Sequence, residues 1–254
     1  MNKLSSLIFL LAACGMALAE NSAGLTMPDG SKDMYVGFGV ATRSSAAEGE
    51  RRTVAFRPLL QVLWSNGIFV SAQGVVGWHL SATAGTEYGP LILASDARNP
   101  GDSYRLRGTH AVDGSPDAGG FYSIDIGGNA QLQSSVSYDT SAHGLRGRLG
   151  LQKSWAALVP HHTVSLSAGV ALASDPVMRE LYEVRTAAGG ARDYRPSGGV
   201  MAINAGVNWN WALSSKWLVS SAVTGTRLGA PAADSPIVER RNFITWSSGL
   251  AYRF

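Results

Sequence analysis

Histidine is the first residue type to search for chemistry, because a neutral imidazole can take the proton from a serine, threonine or cysteine nucleophile and return it to a leaving group. The chain of 254 residues has five: His79, His110, His143, His161 and His162. His161 and His162 follow Pro160, and neighbouring positions of an extended chain face opposite ways, so the pair is poorly placed to share a metal and reads as a polar turn. His79 falls in the same two-residue register as Ser71 and Gln73. That register would allow a nucleophile pairing, but a hydrogen-bonded lumen histidine is much the plainer reading. Asp96, Asp102, Asp113, Asp117 and Asp234 lie in stretches rich in Gly, Pro and Asn, where aspartate makes local turn bonds, and their spacing is not that of a calcium loop. Nor is there a phosphate-cradling glycine loop or a zinc motif. The expectation is no catalytic residue, no cofactor site and no metal site.

Arginine offers a different chemistry. Arg51-Arg52 and Arg240-Arg241 flank polar connectors, and Arg179, Arg185, Arg192 and Arg195 crowd another. Guanidinium groups bind phosphate oxygens bidentately, whereas solvated loop charge is the plainer reading of the same residues. The basic isoelectric point, about 9.1, does not indicate nucleic-acid binding, since no basic patch is interleaved with aromatics.

The elements that must position these residues show a period of two. In the last segment Ile244, Trp246, Ser248, Leu250, Tyr252 and Phe254 share one face, and Thr245, Ser247, Gly249, Ala251 and Arg253 share the other. Between Met201 and Trp211, apolar Met201, Ile203, Ala205, Val207, Trp209 and Trp211 oppose Ala202, Asn204, Gly206, Asn208 and Asn210. Earlier segments repeat the sorting: Val36 to Val40, Val54 to Trp64, Ile68 to Leu80, Phe121 to Gly127, Leu132 to Asp139, Leu145 to Lys153, Val164 to Leu172 and Trp217 to Leu228. Strands of about ten residues with one greasy face suit a tilted crossing of a bilayer. In a soluble β-sandwich the outer alternate positions should carry Lys and Glu, and here they carry Trp, Val and Leu. Only 15% of residues are charged, and the mean hydropathy of +0.04 is what cancelling lipid and lumen faces would give.

The fold class expected is therefore all-β: an antiparallel transmembrane β-barrel of 10 to 12 strands. Ten strands are clear, and a hairpin of Tyr88 to Ser95 with Tyr104 to Val112 would make twelve. Short turns at Ser65 to Gly67, Ala156 to Pro160 and Ala212 to Ser215 belong on the periplasmic side, beside Trp64, Trp155, Trp209, Trp211 and Trp217 as an interfacial belt. The longer connectors near 43 to 52, 81 to 117, 174 to 197 and 229 to 241 would face outward. There Arg51, Arg52, Arg240 and Arg241 become candidate contacts for lipopolysaccharide. Arg57, Gln61, Gln73 and Asn208 would narrow the lumen, and Gly206, Ser247 and Gly249 would widen it.

Upstream, Lys3, an apolar run from Leu4 to Ala13 and Ala17-Leu18-Ala19 before Glu20 have the order of a secretory signal cleaved between Ala19 and Glu20. Residues 1–19 are then the signal, 20–33 a periplasmic segment and 34–254 the barrel. Leu11-Ala12-Ala13-Cys14-Gly15 also fits a lipobox, in which Cys14, the one cysteine, would be lipidated. The terminal Tyr252-Arg253-Phe254 is of the kind read by the barrel-assembly machinery of a Gram-negative outer membrane.

Several segments in order carry a resemblance: Tyr35 to Val40, Glu87-Tyr88-Gly89-Pro90, Leu106-Arg107-Gly108, Arg227-Leu228-Gly229, Asp234-Ser235-Pro236-Ile237-Val238 and Gly249 to Phe254. In these the chain resembles the MltA-interacting protein (MipA)/OmpV family of outer-membrane proteins. It departs at Ala41-Thr42-Arg43 and at Leu181 to Val184. The resemblance implies a non-enzymatic barrel that holds peptidoglycan-remodelling enzymes, a lytic transglycosylase and a penicillin-binding protein, at the murein layer. Other members of the family imply a porin-like small-solute channel or a surface adhesin. The expected partners are outer-membrane lipid, lipopolysaccharide and periplasmic murein enzymes.

Overall fold

The computed structural model describes residues 30–43, 53–81, 83–95, 97–102, 106, 109–156, 159–185 and 193–254. The signal cleavage site at Ala19 and Glu20, Cys14 and the Arg51-Arg52 pair lie outside them. Twelve antiparallel strands close on themselves. They are β1 (Lys32–Arg43), β2 (Thr53–Trp64), β3 (Ile68–Ser71), β4 (Val75–Trp78), β5 (Thr86–Ala94), β6 (Pro116–Gly127), β7 (Ala130–Asp139), β8 (Gly144–Ala156), β9 (His162–Ala173), β10 (Gly199–Ala212), β11 (Trp217–Leu228) and β12 (Asn242–Arg253). Among the described residues two short α-helices, α1 (Asp175–Tyr182) and α2 (Ala230–Ala233), follow β9 and β11. Closure comes from the pairing of β1 with β12, from Tyr35 opposite Arg253 to Ala41 opposite Ser247. It leaves no terminal strand edge for another chain to pair with.

The face that alternation marks as greasy points out of the barrel. Phe38, Phe56, Val136, Leu149, Ile203, Val223 and Ile244 are all exposed, so the apolar band lies where lipid would cover it. Beside the short turns, His162 lies against Trp209 and Trp211 with ring centroids 5.5 and 5.2 Å away, and the Trp209 indole donates to His162 Nδ1 at 3.0 Å. Tyr252 packs edge-on between Trp217 and Phe254. Of the five tryptophans expected to form an interfacial belt, Trp209, Trp211 and Trp217 stand in these groups.

Twelve strands arise differently from the way the sequence suggests. Ile68 to Leu80 is two strands rather than one, because Gly74, at φ +79°, turns the chain back over Ala72–Gly74. Val70 then lies opposite Val76, so both halves of the hairpin keep the same parity and the alternation runs through the turn unbroken. The twelfth strand is β5, within the stretch expected from Tyr88. Its neighbour is β6, and Tyr104 to Val112 supplies no strand among the described residues: Val112 makes only an isolated bridge to Arg98. The stretch 81 to 117 therefore does not form one outer connector. The described residues between β4 and β5 lie at the end that bears the short turns, and those between β5 and β6 lie at the opposite end.

Met201 is a second correction. It was expected to face lipid, but a bulge between Val200 and Ala202 shifts the β10 register. A one-residue shift reverses the facing of a side chain, and Met201 turns inward, 8% exposed, while Val200 takes the outer position.

Candidate functional site

The lumen has two halves of different character. At the long-connector end an apolar cluster packs against the inner wall: Leu106, Val177 and Met178 are fully buried, and Ile237, Phe243, Met201 and Leu228 surround them. Helix α1 starts at Ser174 with a proline in its first turn, a place where the missing N–H costs nothing, and it presents Val177, Met178 and Tyr182 to this cluster. Burial pushes the Tyr182 phenol up to about 12, so it stays neutral. Arg98 reaches across from the segment after β5 and donates to the carbonyls of Leu181 at 2.6 Å and Glu180 at 3.2 Å, satisfying the end of α1.

The Asp234-Ser235-Pro236-Ile237 block locks the same plug. Ser235 Oγ donates to the Tyr182 carbonyl at 2.7 Å, and Ile237 inserts into the cluster. Asp234 accepts from Arg241 at 2.8 Å, while Pro236 stays at the surface. Tyr194 donates to Pro231 O at 2.8 Å, and its phenol is raised by partial burial and by the charge of Asp234. The motif thus has a structural role: it holds the folded-in connectors together.

An ionic group missed by the sequence reading supports the wall beside the plug. Arg146 pairs with Asp139 through both Nε, at 2.9 Å, and its terminal nitrogen, and it lies 3.4 Å from Asp117. Asp139 Oδ1 also accepts from Ser141 and Ala142 in the β7–β8 turn. All three charged side chains are almost wholly buried. The sequence does hold a signal, an Asp and an Arg at inward positions flanking a four-residue turn, but strand pairing is needed to place them side by side.

The other half of the lumen is a cavity of about 750 Å³ at the short-turn end, lined by Tyr35, Gln61, Gln73, Glu87, Asp125, Gln131, Gln152, Asn210 and Arg253 among others. Turn residues Asn129, His161 and Lys216 ring its mouth. His79 is a wall residue nearby: its ring packs on Phe69 and Phe121, at 4.7 and 5.2 Å, and Nδ1 lies 3.7 Å from Glu87. The expected narrowing groups divide accordingly, with Gln61 and Gln73 on the cavity and Asn208 accepting from Ser220. His161 and His162 face opposite ways, the first into the cavity and the second into the aromatic belt. Among the described residues no cluster of His, Cys, Asp and Glu is arranged to hold a metal ion.

The wall has one step. β2 pairs with β1 along its whole length but with β3 only from Gln61 to Leu63, because the β3–β4 hairpin ends at Gly74. Ala72 N donates to Leu60 O, so the amides of residues 54, 56 and 58 turn to the same side, above the hairpin. Among the described residues nothing pairs with β2 there. Pro58 stands in that row and has no N–H to leave unsatisfied. The cavity reaches Leu59, Leu60 and Gln73 at the foot of the step.

A closed barrel with an apolar outer band, an aromatic belt and polar lumen walls defines an outer-membrane β-barrel protein. The chain belongs to the family of the MltA-interacting protein MipA, whose model matches residues 36–254. Solved structures of similar fold include the KdgM porin (7% identity, 88% of this chain and 99% of that one, TM-score 0.41). The NanC porin is similar over 88% and 100% of the two chains (10% identity, TM-score 0.45). The COG4313 outer-membrane channel of Pseudomonas putida F1 is similar over 90% and 97% (13% identity, TM-score 0.45). No match was found among curated proteins.

Proposed function

We propose that this protein is a non-enzymatic outer-membrane scaffold whose periplasmic end holds peptidoglycan-remodelling enzymes. The observation that carries the reading is the asymmetry of the lumen. The long-connector end is filled by the cluster around Met178 and Ile237, while the 750 Å³ cavity with its polar lining opens where the short turns and both ends of the barrel lie. Bacterial barrels place that end in the periplasm, so the accessible groups face the murein layer. The family's name, which refers to an interaction with MltA, supports the same assignment. A photo-crosslinking residue at Asn129 or Lys216 in intact envelopes tests it. Capture of a lytic transglycosylase or a penicillin-binding protein is the expected result. Recovery of neither, from envelopes that contain both, overturns the scaffold role.

A porin-like channel is the second reading, favoured by the step in the wall at Leu60 and Gln73, where the cavity approaches the outer half of the barrel. Planar-bilayer recording separates the two. A plugged scaffold gives no steady ohmic steps, and a channel gives them.

A further inference from the structure

On the outside of the barrel, near the long-connector end, β10, β11 and β12 enclose a groove of about 490 Å³. Register explains the dent. Gly225 on β11 stands between Ala205 on β10 and Ile244 on β12, so a hydrogen and a methyl occupy places where neighbouring positions carry larger side chains. Ile203 and Ile244, 54% and 52% exposed, form its sides. Two residues toward the connector end, Arg227 lies between Ile203 and Asn242, and Arg240 lines the same groove. Arg241 is tied to Asp234, but Arg227 and Arg240 form no ion pair with a carboxylate among the described residues.

We propose that this groove binds a phosphorylated glycolipid of the outer leaflet, lipopolysaccharide, with an acyl chain against Gly225 and the sugar phosphate on Arg227 and Arg240. The apolar floor lies in the outward band, so its occupant is a hydrocarbon chain. The two cations stand together at the end that faces the external leaflet, where guanidinium groups match phosphate oxygens bidentately. A pair of guanidinium groups fits a multiply phosphorylated headgroup better than the single phosphate of a glycerophospholipid. Of the arginines expected to make such contacts, Arg240 keeps that role. Arg241 is occupied by Asp234, and Arg227 takes its place.

The test compares the full-length protein, extracted in mild detergent, with Gly225→Leu and with the double variant Arg227→Gln/Arg240→Gln, titrating each with purified lipopolysaccharide and reading occupancy by native mass spectrometry. A Cβ at Gly225 meets only Ala205 O, at 3.9 Å, so the wall has room for a side chain there that fills the groove. Heat-modifiable gel migration reports whether each variant is folded. Both folded variants should bind about tenfold more weakly or worse. Unchanged occupancy in the double variant overturns the proposal, and that variant alone decides if Gly225→Leu does not fold. Phosphatidylglycerol, or inorganic phosphate competing for the headgroup subsite, should not displace lipopolysaccharide at comparable concentration. Equal binding of phosphatidylglycerol also overturns it.

Discussion

Arg253 lies along the carboxylate of Asp33, Nε to Oδ1 at 2.8 Å and the terminal nitrogen to Oδ2 at 2.9 Å. The bidentate pair joins the last strand to the first beside the short-turn cavity, and the Arg253 guanidinium also sits 5.5 Å from the centre of the Tyr35 ring. Because the arginine is 42% exposed, water screens the pair and its contribution is about 0.5–1 kcal/mol. Asp33→Ala and Arg253→Ala should each lower the urea stability of the refolded barrel by about that amount, and the double variant should cost less than their sum. Strict additivity would show that the pair does not couple the seam.

Arg146 is a harsher case. Its removal takes from Asp139 its bidentate partner and from Asp117 a cation 3.4 Å away, in a buried place. Arg146→Met should therefore cost about 3–5 kcal/mol in equilibrium unfolding from detergent. Adding Asp117→Asn and Asp139→Asn to Arg146→Met should recover much of that loss, since the two buried carboxylates that lost the arginine are then neutral.

Gly225 in β11 and Gly229 just after it should respond differently to alanine. A Cβ on Gly229 would fall 1.8 Å from the Val200 carbonyl oxygen, which belongs to backbone and cannot swing away. At Gly225 the nearest atom would be 3.9 Å away. Gly229→Ala should fail to give a heat-modifiable barrel or should lower its melting temperature strongly, and Gly225→Ala should be neutral within about 0.5 kcal/mol.

The plug is open to a direct test through α1. Met178 has no exposed surface, and an aspartate there would put an unpaired charge among Leu106, Val177 and Ile237. With the wall of twelve strands intact by gel migration, Met178→Asp should release the folded-in connectors and produce conductance steps absent from the parent protein. A folded Met178→Asp barrel with unchanged conductance would mean that other groups close the lumen.

Phe254 is 65% exposed, with its ring against Tyr252 and its N–H donating to Met34 O at 2.9 Å. Truncating the ring removes little packing, so Phe254→Ala should change refolded stability by less than about 1 kcal/mol. If the aromatic terminus is read during assembly, the same variant should show a severalfold loss of folded barrel in cells. Normal cellular assembly would remove that role.

The alternation of Ile244 to Phe254 and of Ile203 to Trp211 was enough to predict a membrane barrel, because a side chain in an extended strand has only two directions and lipid demands one kind of residue. The tryptophans beside the short turns, and the opposed facings of His161 and His162, followed from the same two-fold geometry. Parity could not report the turn at Gly74, since Val70 and Val76 share it. It also misplaced Met201, because a bulge turns one residue without leaving a compositional mark.

The tertiary structure alone decided what fills the barrel. Leu106, Met178 and Ile237 are far apart along the chain, and only strand closure brings the connectors that carry them into one lumen. The same holds for Arg146 with Asp117, and for the dent at Gly225 between Ala205 and Ile244. A local pattern sets which way a side chain points, but contacts between distant segments depend on register around the closed sheet, and register is a property of the whole ring of strands.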